Sequence, residues 1–375
     1  LLGLSNKEEK PFAEYWLGAH PNAPALLEDE HKSLLEFIRE NKEDVLGTRV
    51  ASGFGSLPYL FKILDVRQML SIQVHPSKQS AIEEYKKEDE KGIPLTAPNR
   101  NYKDQNHKPE LMAALSDFWL LHGFKNEAAL QTVFSKVPAL SFLDAAFGKG
   151  GYKALYEEVM TMPQTKVDEV LSPLINEIMP LYENGSLQKN DEHFWAARAT
   201  VSFCKDGHYD RGIFSIYLFN LLHLKEGEGI YQPAGLPHAY LEGQNVEVMA
   251  ASDNVLRAGL TDKHIDVAEL MKHVKFEATH PHIIWANQAT EQSFDTPAKE
   301  FLLKRFSTKQ AVSLIMENAT IIFVYEGKGT INCDGQVVAL NRGEAALVLA
   351  GQEVSVLPSS ASLTFFTVTT PTDKN

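Results

Sequence analysis

The chain has 375 residues, 44% of them hydrophobic, and a formal net charge of −13 from 36 Lys+Arg against 49 Asp+Glu. That length buries a large core and points to two or three domains; the acidic balance without any basic run argues against nucleic acid as a partner, and no apolar stretch approaches the roughly 20 residues of a membrane span. Two distant cysteines, Cys204 and Cys333, and no visible signal peptide make a reducing cytoplasm the expected compartment.

Residues 11–123 are rich in Gly, Pro and short apolar runs, and PYLFKIL (58–64) and LSIQVHP (70–76) read as β-strands. The charged stretch 82–92 reads as a solvated helix ending at Gly92. From Asn126 to about Gly207 the signal turns helical, with helices expected over 126–135, 139–147, 150–161 and 191–204. Val167, Val170, Leu171, Leu174, Ile175, Ile178 and Leu181 recur at spacings of three and four, the stripe of a helix packed on a core. Strand signal returns in FSIYLFNLLHL (214–224), a short helix follows over 266–274, and the last hundred residues alternate apolar and polar between Gly turns. That final pattern is the pattern of an antiparallel sandwich or jelly roll.

An internal echo joins the two β regions. Leu224, Gly227, Glu228, Ala234 and Gly235 recur as Leu340, Gly343, Glu344, Ala350 and Gly351, each at the same offset, as expected for two copies of one β module. Three residues beyond Gly235 lies His238; three beyond Gly351 lies Val354, so only the first copy keeps a metal-capable side chain there.

Four segments carry groups able to do chemistry. On a strand, Gln73 and His75 project from one face, and Lys108 and Glu110 do the same in His107-Lys108-Pro109-Glu110. Taken singly, these read as a polar strand face and a surface turn. His238 is approached through two prolines and a glycine, which hold it rigidly. Gln73, His75, Glu110 and His238 together form a nitrogen and oxygen donor set without thiolate, suited to zinc, while manganese and iron accept the same donors. One carboxylate among four ligands leaves a zinc site at +1, a good Lewis acid. The segment 247–260 adds Glu247, Asp253 and Arg257, an arginine able to clamp phosphate or stabilise an oxyanion, or simply to pair with Asp253 in a loop. Lys62 interrupts an apolar strand; such a lysine snorkels to solvent or, in a cleft, serves phosphate or proton transfer.

The blocks EYWLGAHP (14–21), LSIQVHP (70–76), NYKDQNHKPEL (101–111), PHAYLEG (237–243) and EVMAASDNVLRAGLT (247–261) closely resemble the signature blocks of type I mannose-6-phosphate isomerases, in the family's order and over nearly the whole chain. The resemblance implies a mainly β fold with an α insertion. Two cupin jelly-roll sandwiches are expected, a catalytic one from 1–125 and 208–265 and a metal-free one over 266–375, with a helical domain at 126–207 between them. It implies zinc, one per chain, on Gln73, His75, Glu110 and His238. It makes Arg257 the catalytic arginine, in an isomerase interconverting mannose 6-phosphate and fructose 6-phosphate. Family members also begin with a strand carrying a Tyr-x-Trp-Gly-type motif, and the sequence given starts beyond it.

For such an isomerase, Glu247, Lys108 and His107 are the acid/base candidates, Asp253 is expected to orient Arg257, and phosphate falls to a subset of Ser71, Lys62, Lys108 and Arg257. The expected partner is a small phosphorylated sugar, with no nucleic acid and no membrane, and the expected state is a monomer. Competing readings are an isomerase of another phosphosugar, an iron-dependent cupin oxygenase and a non-catalytic sugar-binding cupin; the Gln donor with Lys and Arg nearby argues against the oxygenase.

Overall fold

The computed structural model describes residues 7, 14–28 and 32–372. The strands that build the first sandwich are β1 (Glu14–Gly18), β2 (Tyr59–Val66), β3 (Ile72–Val74), β4 (Glu110–Ala114), β5 (Phe118–Phe124), β6 (Phe219–Leu224), β7 (Gly229–Gln232), β8 (His238–Ala250) and β9 (Leu256–Gly259). One sheet runs β1-β2-β8-β4-β7, and β8 also pairs with β3 and β5 in the facing sheet. The 13 residues of β8 therefore belong to both walls. The strand changes sheets around Gly243, whose φ of +130° and closeness to Asp117 O and Phe118, each 2.6 Å from a built Cβ, leave room for no side chain.

Strand alternation sorts the side chains of this sandwich into layers. In β2, Phe61 and Ile63 face outward, while Leu64 and Val66 join Met112, Ala114, Phe118, Leu120, Ile230 and Tyr240 inside. The outer face of the facing sheet, with Ile72, Val74, Leu121, Ala239 and Leu241, is covered by helices. Those helices are Glu127–Lys136, Leu143–Thr161, Gln164–Glu183, Glu192–Phe203 and Gly212–Leu218. The 3.6-residue stripe of the third is buried at Val167, Leu171, Leu174, Ile175 and Ile178. The helices expected over 139–147 and 150–161 form one stretch, interrupted at Gly150 and Gly151.

The strand expected over 214–224 is half helix: Gly212–Leu218 is helical and only Phe219–Leu224 extends. A mostly apolar run satisfies either period, and here the helical half is buried throughout while the strand is buried only at Phe219 and Leu224. Three short helices over 34–53 were not foreseen; the first is fixed by a capping box between Ser33 and Glu36. The charged helix spans Lys78–Glu90, is capped by Ser77, and is followed by Gly92 at φ +70°.

The C-terminal strands are β10 (Glu291–Phe294), β11 (Leu302–Thr308), β12 (Val312–Met316), β13 (Thr320–Glu326), β14 (Lys328–Cys333), β15 (Gln336–Asn341), β16 (Ala345–Val348), β17 (Gln352–Pro358) and β18 (Leu363–Thr369). They form a five-stranded sheet, β10-β11-β18-β13-β16, over a four-stranded one, β12-β17-β14-β15. The five-stranded sheet packs its outer face on β2, β4 and β8 of the first sandwich. Phe61 meets Phe323 edge-on at 5.8 Å, and Tyr59 donates to Val368 O at 2.8 Å across that interface.

The echo in the sequence is a repeated structure. Gly227 N donates to Ala114 O at 2.8 Å and Ala114 N to Glu228 O at 2.8 Å; Gly343 N donates to Val324 O at 2.8 Å and Val324 N to Glu344 O at 3.0 Å. In both turns the glutamate carboxylate accepts a backbone N–H three residues back, from Lys225 and from Asn341, at 2.8 Å. With the turns superposed, Thr320 and Val354 take the places of Glu110 and His238, and neither can serve as Glu110 or His238 could.

Candidate metal centre and active-site cavity

Several strands of the first sandwich pass from apolar to polar toward the same end. Lys62 shares the inner face of β2 with Leu64, Glu110 that of β4 with Met112, and His238 that of β8 with Tyr240. The polar ends surround a cavity of about 60 Å³ whose lining includes Glu14, Lys62, Ser71, Gln73, Lys108, Glu110, His238, Tyr240 and Glu247.

Glu110 is the centre of the polar contacts. Its Oε1 lies 3.2 Å from His75 Nε2 and 3.0 Å from Lys108 Nζ, and its Oε2 lies 3.1 Å from His238 Nε2. Burial alone would raise its pKa, but the charge of Lys108 outweighs that and holds the carboxyl well below the usual range. The donor atoms of His75, Glu110 and His238 all lie within 4.8 Å of one another.

The tautomers favour a cation. His75 Nδ1 is 2.9 Å from Asn254 O, and His238 Nδ1 is 2.9 Å from Leu236 O. A carbonyl only accepts, so both Nδ1 atoms carry hydrogen. Burial pushes His75 down to about 4, so its ring is neutral and Nε2 presents a lone pair. That lone pair faces a carboxylate and has no hydrogen-bond partner among the described residues. Two acceptors opposed in a dry site are unfavourable without a positive charge between them. A divalent ion held by two imidazoles and a carboxylate resolves the conflict, and the Nδ1–H to carbonyl bonds are the supports such ligands carry.

Gln73 lies opposite His238 in one strand pair and opposite Arg257 in another, and it lines the same cavity. Glu247 is sealed from solvent; Lys62 Nζ is 3.4 Å from its Oε1, and Tyr240 donates to its Oε2 at 2.7 Å. Burial, then the charge of Glu110, raises its pKa. Lys62 also reaches Glu14 at 3.3 Å and lies over the Trp16 ring at 5.0 Å. Burial pulls Lys62 down, but Glu247 and Glu14 override it and keep the ammonium charged. Arg257 sits beside this wall; burial lowers its pKa, and its Nε has no hydrogen-bond partner among the described residues.

Two expectations change. The Asp253 carboxylate meets His20 Nε2 at 3.1 Å and, among the described residues, does not pair with Arg257, because the 251–254 loop turns it toward a wider cavity of about 1000 Å³ that His20, Lys103 and Asp104 also line. His107 does not line the small cavity; its Nε2 is 2.6 Å from Glu300, a buried carboxylate beside the C-terminal sandwich. The residues that sequence reasoning missed are Glu14, Tyr240, Asn254 and His122. Glu14 could have been found, since its alternation with Trp16 matches that of a strand beside Lys62. His122 lies opposite His238; its Nε2 donates to Tyr231 O at 3.2 Å, and burial pushes it down to about 4.

Comparison with known proteins agrees with this geometry. Residues 3–127 match the model of the phosphomannose isomerase type I catalytic domain. Mannose-6-phosphate isomerase of Escherichia coli is 34% identical, over 94% of this chain and 90% of that protein. The Homo sapiens enzyme is 32% identical, over 93% of this chain and 86% of that one. Among solved structures, mannose 6-phosphate isomerase of Salmonella typhimurium bound to fructose 6-phosphate and zinc superposes with a TM-score of 0.86, 33% identity, and coverage of 99% and 94% of the two chains. Other structures of the Salmonella enzyme carry single alanine replacements of one lysine, two histidines and two glutamates.

Proposed function

The chain belongs to the type I phosphomannose isomerase family, and on that premise we propose how it interconverts mannose 6-phosphate and fructose 6-phosphate: one proton moves between carbons 2 and 1 of the open-chain sugar, beside zinc held by Gln73, His75, Glu110 and His238. The observation that carries this reading is the buried lone pair of His75 facing the Glu110 carboxylate, an arrangement made for a cation. Zinc bound there supplies Lewis acidity that lowers the energy of negative charge on the sugar oxygens.

The chain's own residues supply the rest. Glu247 is the base: burial and Glu110 make it more basic than a surface carboxylate, and Tyr240 and Lys62 hold both its oxygens in place. It takes the proton from carbon 2 and returns it at carbon 1, while a hydroxyl proton passes from oxygen 2 to oxygen 1, so that aldose becomes ketose without net gain or loss. Arg257, with an unpartnered Nε, meets charge developing on the sugar oxygens. Ser71, Lys62 and Lys108 gather a hydroxyl and two positive charges on the cavity wall for the phosphate.

The residues replaced in the Salmonella structures support the assignment. From that lysine to the first histidine is thirteen positions, from there to the first glutamate thirty-five, and from the second histidine to the second glutamate nine. The same steps separate Lys62, His75 and Glu110, and His238 from Glu247.

A coupled assay for fructose 6-phosphate, run on zinc-loaded and chelated protein, tests the reading. Turnover of mannose 6-phosphate that disappears on chelation and returns with zinc is expected. A zinc-loaded protein that binds the sugar phosphate without converting it would reduce the site to a binding module.

A further inference from the structure

We propose that Asn254 is a positioning residue for this reaction: its buried carboxamide fixes the segment that leads into Lys108, and its main-chain oxygen, three residues before Arg257, fixes His75. The inference rests on the isomerase reading of the site.

Asn254 is 0% exposed. Its Oδ1 accepts from Lys103 N at 2.7 Å and from Asp104 N at 3.3 Å. Its Nδ2 donates to Asp104 O and to Asn106 O, each at 2.8 Å. All four hydrogen-bonding positions of the amide are thus committed to the backbone of residues 103–106, the segment that leads directly into Lys108. The main-chain oxygen of the same residue accepts from His75 Nδ1 at 2.9 Å and so fixes the ring tautomer and tilt. Three residues on, β9 presents Arg257 opposite Gln73. A lysine, a histidine and an arginine are therefore referred to one residue, the lysine's segment through its side chain and the histidine through its backbone.

The surroundings tighten this arrangement. Ser252 Oγ donates to Asp104 Oδ1 at 2.9 Å and accepts from Asn254 N at 3.2 Å. Asp253 N donates to Asp104 Oδ2 at 2.7 Å, and Asn106 Nδ2 to Ala251 O at 3.0 Å. Only a side chain offering donors and acceptors in one plane completes the set. Aspartate would present lone pairs to two carbonyls and to the Asp104 carboxylate, and alanine would leave the Lys103 and Asp104 N–H groups and the Asp104 carbonyl unanswered, with Asn106 O kept only by Ser252.

The experiment compares Asn254→Ala, Ser252→Ala and Tyr102→Phe with the wild type as zinc-loaded proteins. Tyr102→Phe is the stability control: it removes a hydroxyl bonded to Glu269 at 2.6 Å from the same loop without touching Asn254. Expected for Asn254→Ala is a loss of about 10–100-fold in kcat per bound zinc with KM little changed, and zinc transfer to a chelator about tenfold faster. If Asn254→Ala does not fold, Ser252→Ala carries the test with smaller changes in the same two readouts. Tyr102→Phe should lower the melting temperature and alter neither. Normal kcat and normal zinc release in the folded Asn254 or Ser252 variant would overturn the proposal, and so would equal losses in Tyr102→Phe. Zinc release is read without substrate, so a wild type that fails to convert mannose 6-phosphate would count against the isomerase reading alone.

Discussion

Lys62 Nζ stands 3.4 Å from Glu247 Oε1, with the two side chains 8% and 5% exposed. Neither charge has water to fall back on, so each depends on the other. Lys62→Met should raise the pKa of Glu247 further, shift the acidic limb of the kcat–pH profile upward, and cost about 3–5 kcal/mol of stability in urea unfolding, the usual consequence of stranding one buried charge. An unshifted acidic limb would remove Glu247 from the role of base.

His238→Ala should lose zinc and activity together, because its Nε2 is one of three donors gathered within 4.8 Å. Metal analysis by plasma mass spectrometry checks it. Full zinc stoichiometry in the variant would break the ligand assignment.

Arg257→Ala makes the opposite pattern. Zinc should remain, while kcat/KM falls by the equivalent of about 2.7–4 kcal/mol, the scale of one lost oxyanion donor. Turnover close to normal would leave Arg257 a structural role beside Gln73.

The chelated protein should weaken in mild acid. Burial pushes His75 and His122 down to about 4 from the ordinary 6.5, so below 6.5 the unfolded chain takes up protons that the folded chain refuses. Stability is complete above pH 6.5 and is lost as pH falls toward 4, the direction that proton linkage requires. Thermal melts in EDTA across that range should show a slope that His122→Leu reduces. An identical slope in the variant would mean that His122 is not buried neutral.

The cluster of His75, Glu110 and His238 was partly legible because two of its members stand in short, rigid segments: His75 in a strand whose parity can be read directly, and His238 behind two prolines. The duplicated turn was legible for a similar reason, since Gly227 and Gly343 hold φ of +84° and +86°, which few other residues tolerate. Misreadings came where burial overrides local pattern. The mostly apolar run 214–224 satisfies helix and strand alike, and only its place against the core separates them. Asp253 looked like a partner for Arg257 because both stand in one short segment, yet the loop gives its carboxylate to His20, 233 positions away. Asn254 left no trace in pattern at all, because its bonds reach groups about 150 positions earlier.

One strand of 13 residues is stitched to β2 and β4 along one half and to β3 and β5 along the other. Sliding one wall of the sandwich past its neighbour would tear ladder bonds on both sides of Gly243 at once. The strands that carry Lys62, Glu110, His238 and Glu247 are therefore joined into one piece, so a shift at any one of these residues is felt by the other three.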